Sequence, residues 1–178
     1  MATWSSRGLR GSFLEDLINR TIEQYRRQQL ALIQKIPTPI TPMKIDQEKR
    51  HITLAYFEQR STVDYIGVVQ SIPVCFDAKE CASDTFALQN IHSHQIEFMR
   101  EFEQQGGISF LLIYYSKKDT FYYLSFVKLM EFVERMEAGG RKSFRYEELD
   151  ETFFLRKNQG TFVPFLETLQ IDLAQRSD

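Results

Sequence analysis

Cysteine is nearly absent from this chain, with Cys75 and Cys81 the only two in 178 residues. Six positions apart and joined by the polar run Phe76-Asp77-Ala78-Lys79-Glu80, they cannot staple a domain of this size. A disulfide framework is excluded, and a reducing cytosol is the expected compartment. No run of about 18 apolar residues exists to span a membrane. The opening Met-Ala-Thr-Trp-Ser-Ser-Arg-Gly lacks the apolar stretch of a secretory signal. Basic charge is not in excess: 22 Lys and Arg face 24 Asp and Glu, a formal charge of -2. The average therefore carries no electrostatic signature of a nucleic-acid partner. With 43% hydrophobic and 26% charged residues the composition is that of a globular chain, and the length fits one domain over 1–178.

No internal repeat is present. Apolar residues at Leu14, Leu17, Ile18, Ile22, Tyr25 and Leu32 follow helical spacing and predict a helix over 13–35, with Ser12 as N-cap and Glu15 completing a capping box. Three prolines in Ile36-Pro37-Thr38-Pro39-Ile40-Thr41-Pro42 forbid its continuation. The stretch 43–58 that follows, with Lys49-Arg50-His51, reads as an extended arm or ribbon. Two β-rich runs flank Gln70-Ser71 and predict a hairpin, although that dipeptide is not a preferred turn. A helix is expected over 88–105, stopped by Gly106-Gly107, then a buried strand over 108–115 and a returning strand over 121–126. A short helix over 127–138, a charged irregular stretch over 141–157 and a closing helix over 164–176 complete the chain. The sum is an α/β or α+β domain around one mixed sheet.

If the hairpin turns symmetrically about Gln70-Ser71, paired residue numbers sum to 141, and Asp64 falls opposite Asp77. Asp77 and Lys79 then share one face of the second strand, while Val74, Phe76 and Ala78 take the other. Like charges directly opposite destabilise a ladder unless a cation or a shifted protonation state compensates. Carboxylate oxygens without a Cys or His cluster suit Mg2+ or Mn2+, and Lys79 beside them could orient water or neutralise charge on a phosphate. Such a site would hydrolyse a phosphodiester. On spacing alone the other reading stays open: exposed charges on one strand face are common and often only solvated. Glu15 likewise has a capping role or a role as a further carboxylate. Gln95 could reach inward to the acids or face water. His92 and His94, two apart on the expected helix, do not face each other there, which argues against a transition-metal pair. Cys75 and Cys81 read as small buried hydrophobes.

The run Ser61-Thr62-Val63-Asp64-Tyr65, then Phe76-Asp77-Ala78-Lys79-Glu80, then 86–95 with Leu88-Gln89-Asn90-Ile91-His92-Ser93-His94-Gln95, resembles the RecU-type Holliday junction resolvases. The resemblance extends to Arg7-Gly8, Leu14-Glu15-Asp16 with Asn19, Pro37-Thr38-Pro39, Ala55-Tyr56-Phe57, Gly107-Ile108 and Arg141-Lys142-Ser143, and so covers nearly the whole chain. It implies a restriction-endonuclease-like mixed β-sheet flanked by helices, with a projecting arm or stalk over 36–57. It implies a Mg-dependent endonuclease with catalytic Asp64, Asp77, Lys79 and Glu15, the three acids as metal ligands and Gln95 in support. It further implies DNA contacts from Arg7, Arg10, Lys49 and Arg50, a homodimer nicking opposed strands of four-way DNA junctions, modulation of the RecA recombinase, and a cytoplasmic, nucleoid-associated setting. A non-catalytic junction-binding protein and a nuclease for other DNA are the alternatives. Val63 stands where the family commonly has Thr, and Asp77 where Glu is usual.

Charge is also unevenly distributed. Residues 1–60 carry 10 Lys or Arg and 6 Asp or Glu, a net of +4, and the remaining 118 carry a net of -6. A localised basic footprint on the first helix and the arm is expected.

Overall fold

The computed structural model of the chain describes residues 13–57, 62–156 and 160–176. Its centre is a five-stranded mixed sheet in the order β1 (Ala31–Lys35), β4 (Tyr65–Val69), β5 (Ile72–Cys81), β7 (Ile108–Tyr115), β8 (Thr120–Ser125). All neighbours are antiparallel except β5 and β7. That parallel pair is joined by a crossover containing α2 (Ser93–Gln104), as a parallel pair requires. Every residue of β7 is buried, which explains its unbroken apolar sequence: both of its faces are covered. α1 (Phe13–Arg27) and α4 (Phe165–Arg176) meet through Tyr25 and Phe165, and Phe165 packs on Phe76 and Phe110. α2 and α3 (Phe126–Glu137) lie together over the opposite face, reached by Asp77. The chain is therefore an α/β fold, with helices on both sides of a mixed sheet.

The hairpin forms in the expected register. Tyr65 pairs with Phe76, Ile66 with Cys75 and Val69 with Ile72. Gln70 and Ser71 both adopt positive φ, 45° and 76°, the primed turn whose twist suits a two-residue hairpin despite its unusual sequence. The arm is a second, separate two-stranded ribbon of β2 (Ile40–Asp46) and β3 (His51–Phe57), with Lys49 and Arg50 in the exposed turn at its tip.

Three expectations change. The first helix ends at Arg27, not Lys35, and 31–35 is instead edge strand β1. Gln29 is in the left-handed region at φ 58°. Its N–H donates to Arg26 O, and the Leu30 N–H donates to Tyr25 O, a helix stop that ordinarily uses glycine. The second helix begins at Ser93, because residues 88–90 form a separate 3-10 turn and His92 is the extended N-cap. The stretch 141–157 is more ordered than expected: β9 (Ser143–Arg145) pairs with β6 (Thr85–Ala87), and two 3-10 turns follow. Among the described residues no helix is long and apolar enough to cross a membrane.

Candidate active site

β4 starts at Tyr65, opposite Phe76, so the outer half of β5 from Asp77 to Cys81 has β7 on one side and no β4 partner on the other. The gap is filled by side chains. Asp64, one residue before β4, donates its backbone N–H to Asp77 Oδ1 at 3.1 Å and accepts the Ala78 N–H on its own Oδ2 at 2.9 Å. Each carboxylate thus satisfies a backbone N–H on the opposite strand, Asp77 that of Asp64 and Asp64 that of Ala78, which continues the hairpin by one carboxylate-mediated rung. The Ile36 N–H, at the foot of the arm, donates to Asp64 O at 2.7 Å.

Asp77 is fully buried, and the Nζ of Lys79 lies 2.5 Å from its Oδ2. That contact is an ion pair by distance, while no well-angled hydrogen bond reaches the same oxygen. Gln95, buried at the start of α2, ties the set together. Its Nε2 donates to Asp77 Oδ1 at 2.9 Å, and its Oε1 accepts from Lys79 Nζ at 3.3 Å and from the His92 N–H at 3.1 Å. The last bond is the helix cap, so one glutamine both starts α2 and aligns two charged groups. Of the sequence alternatives for Gln95, reaching inward to the acids, capping backbone groups or facing water, the structure shows the first two at once.

Two acids this close repel. Burial, reinforced by the adjacent Asp77 charge, pushes the Asp64 carboxyl up to about 7. The pair is one cation short when ionised, and Lys79 offsets only part of it. Asp64 and Asp77 are therefore a donor set of the right chemistry for a hard divalent cation. Among the described residues no group of three His, Cys, Asp or Glu gathers closely enough to hold a metal ion.

Glu15 lies on α1, and its Oε2 accepts from Lys35 Nζ at 2.7 Å. The N–H of Leu14 donates to Glu80 Oε1 at 2.8 Å, so a residue of β5 caps the helix start. Ser12 lies outside the described residues. Tyr65, fully buried and stacked on Phe76 at 4.8 Å, donates its hydroxyl to Asn19 Oδ1 at 3.1 Å. Burial first pushes its hydroxyl pKa well above the usual tyrosine value, and the charges of Glu15, Asp64, Asp16 and Asp77 raise it further. Lys35, Tyr65 and Glu80 escape a sequence reading: the first is hidden by the misjudged helix end, the others by contacts 46 and 66 residues apart.

The remaining candidates separate. Lys49 and Arg50 stand at the arm tip, away from the acids, and Arg7 and Arg10 lie outside the described residues. His92 and His94 do face each other, with rings stacked at 5.3 Å and 11°, because His92 is the cap and not part of the helix. Both cysteines are free and buried, and burial pushes the Cys75 thiol up to about 12. At that value it is an inert core group.

The sequence profile described as "RecU: Recombination protein U" matches residues 9–171. The chain belongs to the RecU family. Among curated relatives, this RecU chain is 43% identical over 149 residues to the "Holliday junction resolvase RecU" of Bacillus subtilis, covering 82% of this chain and 71% of the relative. The protein of the same name from Bacillus licheniformis is 44% identical, covering 80% and 73%. That of Limosilactobacillus reuteri is 36% identical over 173 residues, covering 94% and 85%.

Proposed function

We propose that this chain is an endonuclease that resolves Holliday junctions in DNA recombination and repair, dependent on a divalent cation such as Mg2+ and acting as a homodimer. The observation that carries this reading is the Asp64, Asp77, Lys79 and Gln95 cluster, in which two carboxylates share one buried rung against a lysine. Relatives named as resolvases support the substrate.

Asp64 and Asp77 would hold the cation; Glu15, paired with Lys35, does not gather with them in this structure and would have to turn from that lysine to join as a third ligand. When bound, the ion polarises a phosphoryl oxygen and acidifies water. Asp77, locked by Gln95 and by the Asp64 N–H, holds its buried Oδ2 in a fixed carboxylate plane beside Lys79. Lys79 holds its ammonium beside that oxygen, where it can orient an attacking water or neutralise charge building on the phosphate. Gln95 keeps both in place without changing the net charge. A homodimer brings two such sites to opposed strands of a two-fold junction. Lys49 and Arg50 at the arm tip supply phosphate contacts. A role in modulating RecA belongs to the same reading.

The test is cleavage of a synthetic mobile four-way junction by the purified chain with Mg2+. Symmetric nicks are expected, falling by at least about 100-fold in Asp77→Asn with junction binding retained. A wild type that binds the junction tightly and never nicks it with Mg2+ or Mn2+ would leave a binding protein and no nuclease.

A further inference from the structure

We propose that the groove between α2 and α3 is a docking site for an acidic, extended segment of a partner protein, one whose apolar side chains are flanked by carboxylates. This partner site stands apart from the nuclease reading. Leu88, Ile91, Ile96, Val133 and Met136 line a cavity of about 350 Å3. Leu88, Ile91 and Val133 are buried at its floor, while Ile96 and Met136 are half-buried on its walls. Ser93, Ile96 and Arg100 follow one face of α2 at helical spacing and border the groove, whereas Gln95 turns to Asp77. The groove is therefore separate from the carboxylate site.

Both ends of the groove carry a cation. Arg100 Nη2 lies 3.8 Å from Met130 Sδ, so the later half of α2 meets the earlier half of α3. Lys142 stands at the other end, where its carbonyl accepts the Leu88 N–H at 3.0 Å. From Ser93 to Arg100 the helix rises about 10 Å. Arg100 and Lys142 are exposed, and neither forms an ion pair with another described residue, whereas the neighbouring Lys128 and Arg135 of α3 are matched by Glu131 and Glu148. Glu137 is the one acid among the described lining residues. An apolar floor between unmatched positive ends is complementary to an apolar segment with a carboxylate at each end. An extended chain covers that span in about three or four residues and sends alternate side chains to one side. Two apolar side chains then reach the floor while the acids outside them meet Arg100 and Lys142. Nucleic acid fits less well: among the described residues no aromatic ring lines the groove for a base to stack on, and Glu137 would face phosphates.

The probe is a fluorescein-labelled peptide with the core Glu-Leu-Ser-Phe-Asp, titrated with the full chain and read by anisotropy. Saturable binding that weakens with salt is expected. It should fall about 10-fold when Arg100→Glu and Lys142→Glu are combined, since two rim attractions become repulsions. Lys49→Glu with Arg50→Glu changes the net charge equally at the arm tip and should leave the affinity unaltered. A peptide with lysine for both acids should not bind, nor should one with serine for leucine and phenylalanine. Arg100→Gln with Lys142→Gln should lower the affinity about threefold, and decides the matter should thermal melting show that the charge-reversed variant is poorly folded. No binding of the parent peptide, equal weakening by the groove and arm variants, or binding of the serine peptide each overturns the assignment. If sedimentation shows a dimer that the groove variants dissociate, the occupant is a second copy of this chain. If those variants weaken binding of a four-way junction and not of the peptide, the occupant is DNA. Either result also overturns the partner segment proposed here.

Discussion

The Asp64 N–H donates to the Asp77 carboxylate, and the Asp64 carboxylate accepts the N–H of Ala78, the residue after Asp77, so neither can move without disturbing the other's strand. That coupling has a pH signature in the cation-free protein. The native Asp64 carboxyl titrates near 7, against an ordinary value of 3.8. The native state therefore binds a proton more tightly than the unfolded chain does. Stability from this group is fully present below about pH 4 and is lost as pH rises through about 7. The expected loss is on the order of 2–4 kcal/mol. Urea unfolding in EDTA at pH 4.5 and 7.5 measures it, and Asp64→Asn should flatten that part of the slope. An unchanged slope in the variant would assign the titration elsewhere.

Among the secondary-structure elements, glycine marks what a reader of the sequence can see. α2 and α3 stop at Gly106 and Gly139, both at positive φ, with the following glycine N–H bonded back into the helix. α1 stops in the same way at Gln29, where no glycine announces it, and the apolar Leu32 lies at a helical interval. The sequence pattern therefore runs on into β1 as if the helix continued. The hairpin acids were legible because β pairing follows from arithmetic once the turn is placed, and Gln70-Ser71 is the turn. The inward reach of Gln95 was one of the readings its position allowed, whereas its register with the helix start and the Lys35 pair with Glu15 were not legible, because each depends on where a neighbouring element ends. A left-handed glutamine carries steric strain that glycine relieves, so Gln29→Gly should stabilise the protein by about 1 kcal/mol. Thermal unfolding checks this, and a lowered melting temperature would show that the exposed Gln29 side chain makes a stabilising contact of its own.

For the molecule as a whole, the overall charge of -2 conceals a separation. The positive excess belongs to the first 60 residues, where the ribbon of β2 and β3 carries Lys49 and Arg50 at a tip remote from the carboxylates. Junction binding should then depend on few, localised phosphate contacts. Replacing Lys49 and Arg50 together by alanine is expected to lower the slope of log affinity against log salt by about 2, with cleavage chemistry on bound junction unchanged. Filter binding at four salt concentrations decides it. An unaltered slope would move the DNA contacts off the arm.

The Ile36 N–H bonded to the Asp64 carbonyl closes the base of the arm like a hinge pin. The chain leaves the sheet at one end of that bond and rejoins it at the other. In mechanical terms the ribbon is a lever with its fulcrum on the rung that carries the Asp64 carboxylate. A sideways load at the tip, such as a junction opening around it, would bear on the bond to the Asp64 carbonyl.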